Sequence, residues 1–163
     1  MALTETVAGN FAPLAQIERT ALIARLARRG RIDEHDVAAL RRMFEDTGSV
    51  SRQEADALFS VEIAVADRPD AWVALLIETI TDHVVWQSRP TGVLSGPQAE
   101  WLLESADRCD GLTAIGILAN VLAEAHRAPA WFVAAVRARA ARTLGADWTQ
   151  APASEPAVGA RCA

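Results

Sequence analysis

Residues 78–86 read ETITDHVVW and residues 123–129 read AEAHRAP. The first stretch sets Glu78 and Asp82 four apart, on one face of a helix, with His83 beside them. The second adds Glu124 and His126. Carboxylate oxygens and imidazole nitrogens are the donors divalent metals take, and helical di-iron proteins supply theirs as Glu-x-x-His from paired helices. The spacings here are Glu-x4-His and Glu-x-His, and side chains two apart on a helix do not face each other. Glu78, Asp82, His83, Glu124 and His126 form one candidate site, for a divalent metal or a metal-dependent enzyme. The competing reading is structural, with His83 half-buried in a helix and His126 a cation near a helix C-terminus, where the dipole favours it. His35, in DEHD, reads as a solvated first-turn residue.

A second stretch, GSVSRQEADALF at 48–59, has the outline of half an EF-hand. Such a loop binds calcium through positions 1, 3, 5 and 12, with glycine at 6. With Gly48 at 6 and Glu54 at 12, positions 1, 3 and 5 are Met43, Glu45 and Thr47, and methionine is no hard oxygen ligand. Around Gly30 the same positions hold Arg25, Ala27 and Arg29, which repel a cation. Around Gly92 they hold Gln87, Arg89 and Thr91, with Gln98 at 12. The motif predicts helix starts, not calcium loops.

Other chemistry is excluded by composition. All sixteen basic residues are arginine and tyrosine is absent, so no lysine Schiff base, P-loop lysine or phenolic acid is available. There is no G-x-S-x-G elbow, no Gly-rich phosphate loop after a strand and no cysteine pair at metal spacing. A net charge of −5 argues against nucleic-acid binding. Cys109 and Cys162 lie far apart, which fits a reducing cytoplasm rather than a disulfide framework. The N-terminal residues lack the basic and apolar regions of a signal peptide, and no apolar run reaches membrane-spanning length. Alanine and arginine in place of lysine suit a GC-rich bacterial genome. No cofactor is expected.

These residues need elements to hold them, and the signals are helical throughout, with none for strands. Helices are expected at 13–29, 33–45, 51–66, 71–88, 95–106, 112–126 and 129–143. Gly30 after RLARR, and Pro69, Pro90 and Pro129, mark helix ends. Residues 1–12 read as a flexible lead-in and 144–163 as a disordered tail. Three starts share one design, GRIDEHDV, GSVSRQEA and GVLSGPQA. Each gives a glycine, an apolar staple residue and a cap: Asp33, Ser51 or Ser95. Three positions later come Asp36, Glu54 and Gln98, completing capping boxes, with the Asp33–Asp36 version weaker because aspartate is short.

A shift of 62 residues places Gly30 on Gly92, Ile32 on Leu94, Asp33 on Ser95, Ser51 on Thr113 and Glu62 on Glu124. The expected architecture is an all-α single domain: a duplicated three-helix unit, halves 13–66 and 71–126, plus a seventh helix. Paired helices with such starts, duplicated into seven, resemble the tellurite-resistance TerB-like domains over residues 13–143. The resemblance implies an all-helical fold, a link to stress response and, in some members, acidic residues that bind a divalent cation. The Asp-Gly pair usual in that family before the staple residue is kept only at Asp110-Gly111.

The last helix, PAWFVAAVRARAART, carries Arg137, Arg139 and Arg142 without an acid. It reads either as an apolar stripe packed on the bundle with a solvated basic end, or as a docking face for an acidic partner using Trp131, Phe132 and the three arginines. Trp72, Trp86, Trp101 and Trp131 fall inside helices as packing residues, and Trp86 and Trp131 exposed together would mark an interaction patch. The expectation is a non-enzymatic interaction or accessory module with a protein partner or a homo-oligomeric state.

Overall fold

The computed structural model describes residues 14–145, and the expectations for 1–12 and for the tail beyond Gly145 lie outside them. Among the described residues the elements are α1 (Leu14–Arg29), α2 (Glu34–Thr47), α3 (Arg52–Ala64), α4 (Asp70–Thr81), α5 (Gly96–Ala106), α6 (Gly111–Glu124) and α7 (Ala130–Leu144). The fold is all-α, with two isolated backbone bridges and no strand among these residues. α1 packs along α3 and α4 along α6, α7 covers α6, and α2 and α3 meet α4 to join the halves. One buried cluster runs through the whole, with Phe59, Trp72 and Phe132 among its largest fully buried side chains.

The capping boxes set the starts. Ser51 and Ser95 each accept from the backbone N–H three residues on, and Glu54 and Gln98 accept the return bond. The aspartate pair closes as completely, with both bonds at 3.0 Å. Asp36 is long enough because Asp33 is held extended at φ −116°. Each cap is worth about 1 kcal/mol.

The fourth helix does not run as one α-helix to 88. It leaves α geometry after Thr81, and Asp82–Trp86 form a wide π turn closed by Gln87 N–H donating to the Asp82 carbonyl at 2.9 Å. Apolar periodicity cannot register one extra residue in a turn. The turn brings the chain back so that Gly92 N–H reaches the Val85 carbonyl at 2.8 Å. Gly92 takes φ +78°, and a Cβ there would collide with the His126 ring, so only glycine fits.

The two halves repeat some geometry at a changing offset. Arg31 bridges Asp67 and Val93 bridges Arg127, with Ile32 N–H to the Asp67 carbonyl at 3.0 Å and Leu94 N–H to the Arg127 carbonyl at 2.9 Å. The first partners are 62 apart and the second partners 60. Pro69 and Pro129 then precede α4 and α7, and Trp72 and Phe132 follow, both fully buried. The ungapped offset therefore fails in the third helix. α6 starts at Gly111 after Asp110, and Thr113 is buried inside its first turn rather than capping it. Glu62 falls on Leu122, not on the exposed Glu124. Buried Glu62 accepts from Arg68 at 2.8 Å and from the Trp72 indole at 2.7 Å. At offset 60 that polar trio is replaced by Leu122, Ala128 and Phe132, all apolar.

Candidate functional site

The helix starts decide the calcium question. α1 turns Arg19 inward beside Ile23 and Leu26, all three buried. An arginine there must find acceptors. Its Nε donates to Glu54 Oε1 at 2.7 Å, and its NH1 donates to the Met43 carbonyl at 3.2 Å and to Thr47 Oγ1. The guanidinium also lies 5.2 Å from the Phe44 ring centroid. Met43, Thr47 and Glu54 are the residues at positions 1, 5 and 12 of the EF-like outline. All three give oxygens to an arginine of the same chain. Burial alone would push the Glu54 carboxyl up; the Arg19 guanidinium and the Ser51 N–H and hydroxyl outweigh it and hold it below its ordinary value.

The other two starts follow the same rule. Asp36 is bonded by Arg29, whose Nε also reaches the Arg31 carbonyl at 3.1 Å. Gln98 is neutral, and it is met by Ser88 and the Val84 carbonyl, with no arginine bonded to it. Where the third capping position carries charge, an internal guanidinium balances it; where it is an amide, none is bonded.

The five residues of the first candidate site separate. Glu78, Asp82 and Glu124 line one groove of about 500 Å³ between α4, the π turn and α6, together with Ile77, Trp86 and Asn120. Burial, and then the like charges of Glu78 and Glu124, push the Asp82 carboxyl above its ordinary value. Glu78 is paired with Arg41 of α2 at 2.6 Å. The histidines do not join them. His83 Nδ1–H donates to the Val50 carbonyl at 2.8 Å, and its ring meets Trp101 edge-on at 5.8 Å. Desolvation holds the His83 imidazole below its ordinary value. His126 stacks on Gly92 and meets Trp86 edge-on at 6.0 Å. Among the described residues no three His, Cys, Asp or Glu side chains gather as a metal set.

The second candidate, on α7, is corrected in two places. Phe132 is fully buried and cannot meet a partner. Arg139 is engaged by a bidentate pair with Asp107 at 2.6 and 2.5 Å, which holds the Asp107 carboxyl below its ordinary value. The acid that α7 lacks comes from the turn after α5. Arg137, Arg142 and Trp131 remain exposed. Of the four helical tryptophans, Trp72 and Trp101 are buried, whereas Trp86 is 40% and Trp131 46% exposed.

Sequence reasoning missed Arg19, Asn120 and the π turn. Arg19 had a signal, since a lone arginine on the stripe shared with Ile23 and Leu26 needs a buried acid. Asn120, which donates to buried Thr81 at 2.9 Å, had none. Compared with protein-family models, with curated proteins and with solved structures, the chain matches none.

Proposed function

We propose that the chain is a non-enzymatic interaction module that receives a positively charged segment of a protein partner in the groove between α4, the π turn and α6. The observation that carries this is the groove's chemistry. Asp82 and Glu124, with Glu78 already holding Arg41, line the groove together with an aliphatic wall at Ile77 and an exposed indole at Trp86. An arginine or lysine side chain has the matching parts, an apolar stem and a cationic head, and an indole face attracts that head by about 0.5–2 kcal/mol. Burial and then the like charges of Glu78 and Glu124 raise Asp82, and an arriving cation offsets the second of these.

A divalent-metal site on Glu78, Asp82, His83, Glu124 and His126 draws less support. The carboxylates stand around a groove instead of converging on a point, and His83 spends its Nδ1–H on the Val50 carbonyl. The TerB-like resemblance, with its stress-related role in a bacterial cytoplasm, and the origin of the fold by duplication belong to this same proposal. The paired bridges at Arg31–Asp67 and Val93–Arg127 and the two buried aromatics after Pro69 and Pro129 support duplication, with a two-residue deletion before α6.

The test is a Trp fluorescence titration with a short arginine-rich peptide and with its glutamate-rich counterpart. The basic peptide is expected to bind, more weakly with D82N and E124Q and with rising salt. Equal response to both peptides, or none to either, overturns the reading.

A further inference from the structure

Two uncharged polar residues of the groove bear on which cation it takes. Asn120 of α6 donates its Nδ2 to Thr81 Oγ1 at 2.9 Å, and Thr81, which lines the groove from α4, is buried. The bond sets the amide with its nitrogen on Thr81, so its Oδ1 is the acceptor it offers a ligand. Glu124 lies one turn further along α6, on the same face. Asp82 stands on the other wall, in the π turn. Acceptors therefore line both walls, one neutral and two ionised, with the Trp86 indole beside them. Glu78 is already engaged by the Arg41 guanidinium at 2.6 Å, so selection falls to Asp82, Glu124 and Asn120.

We propose that the groove selects an arginine head over a lysine head, and that Asn120 is the residue that tells them apart. This rests on the groove being where a cationic segment binds. A guanidinium is a planar fork of five N–H donors. It can donate to the Asp82 carboxylate on one wall and to the Asn120 amide oxygen on the other, with its plane against the indole. An ammonium is a compact point charge with three donors, which meets a carboxylate well but does not span to a neutral acceptor across the groove. Both heads carry one positive charge, so attraction to Asp82 and Glu124 does not separate them. The added bond to Asn120 does.

The test is isothermal titration calorimetry of the full chain with a short arginine-rich peptide and with the same peptide carrying lysine at every arginine. The arginine peptide is expected to bind about tenfold more tightly, the worth of one hydrogen bond to a charged group. N120A should cost the arginine peptide that factor and leave the lysine peptide unchanged, so that the two converge. N120L, which keeps the shape of the amide, should do the same and stands in if N120A loses its helical circular-dichroism signal. Equal affinity for the two peptides in the unsubstituted chain overturns the inference and leaves the cation-binding reading standing. A preference that survives the substitution of Asn120 also overturns it, because the indole alone would then set the preference. Binding of neither peptide overturns both.

Discussion

Replacing Arg19 by methionine keeps most of the side-chain volume and removes the cation. Glu54 is fully buried, and it would keep only the Ser51 N–H and hydroxyl, at 2.9 and 2.8 Å. Deleting one partner of a buried ion pair costs about 3–5 kcal/mol, because the other charge stays behind without compensation. The surviving capping bonds place R19M near the lower end, about 3 kcal/mol. For a chain of 163 residues that lowers Tm by roughly 10 °C. The pH dependence gives an independent signature. In the native chain the Glu54 carboxyl sits below its ordinary value, so its stabilisation is present above about pH 4.5 and is lost as pH falls through the folded value. In R19M burial dominates and raises the carboxyl, so the penalty fades as pH falls and the two proteins converge in acid. The repair is R19M/E54Q, which copies the Ser95–Gln98 start, where no arginine is bonded. Urea unfolding followed by tryptophan fluorescence reads all three proteins. An R19M loss under 1 kcal/mol, or a double variant no more stable than R19M, would refute the claim that Arg19 is the cation this start requires.

Three further outcomes follow from single groups. D82N removes a carboxyl held above its ordinary value by burial and by Glu78 and Glu124, so it should raise Tm at neutral pH. Because the folded chain binds that proton more readily than the unfolded one, the gain should shrink as pH falls, and salt should shrink it too. His83 is held below its ordinary value of 6.5 by desolvation, so its contribution is complete above about pH 6.5 and is lost as pH falls. Thermal melts from pH 7 to 5 should show that slope, and H83Q should flatten it. Cys109 is half-buried and its thiol is pushed up to about 11 by desolvation, so iodoacetamide should label it at pH 7 far more slowly than a free thiol, as read by peptide mass spectrometry.

The helices were legible because they are locally encoded. Ser51-x-x-Glu54 and Ser95-x-x-Gln98 mark starts, Gly30 at φ +72° marks a stop, and the prolines at 69 and 129 stand immediately before α4 and α7. What was not legible depends on partners distant in sequence. Arg19 meets Glu54 across 35 residues and Arg139 meets Asp107 across 32; the stripe of Ile23 and Leu26 announces that Arg19 needs an acid, but no local spacing names the partner of either arginine. Phe132 and Trp131 are equally apolar on paper, but only one faces the core. For the candidate site the sequence grouped five donors by type, and three of them do share a groove. His83 follows Asp82 directly, and consecutive residues on a helical turn do not share a face, so His83 turns to the Val50 carbonyl while Asp82 faces the groove. The single offset of 62 did not carry through for a related reason: the bridge partners Arg31 and Val93 are 62 apart but Asp67 and Arg127 are 60 apart, and apolar periodicity does not sense a change of loop length.

The central claim is that the helix starts balance their charge from within the chain while the groove at Glu78, Asp82 and Glu124 stays open to a cationic partner. Amide NMR shifts of the full chain, recorded against calcium chloride and then against an arginine-rich peptide, test both halves at once. The account predicts that calcium leaves residues 43–54 unmoved and that the peptide shifts Glu78, Asp82, Trp86 and Glu124. Calcium-dependent shifts at Thr47 and Glu54, or a peptide that moves nothing along α4 and α6, would contradict it.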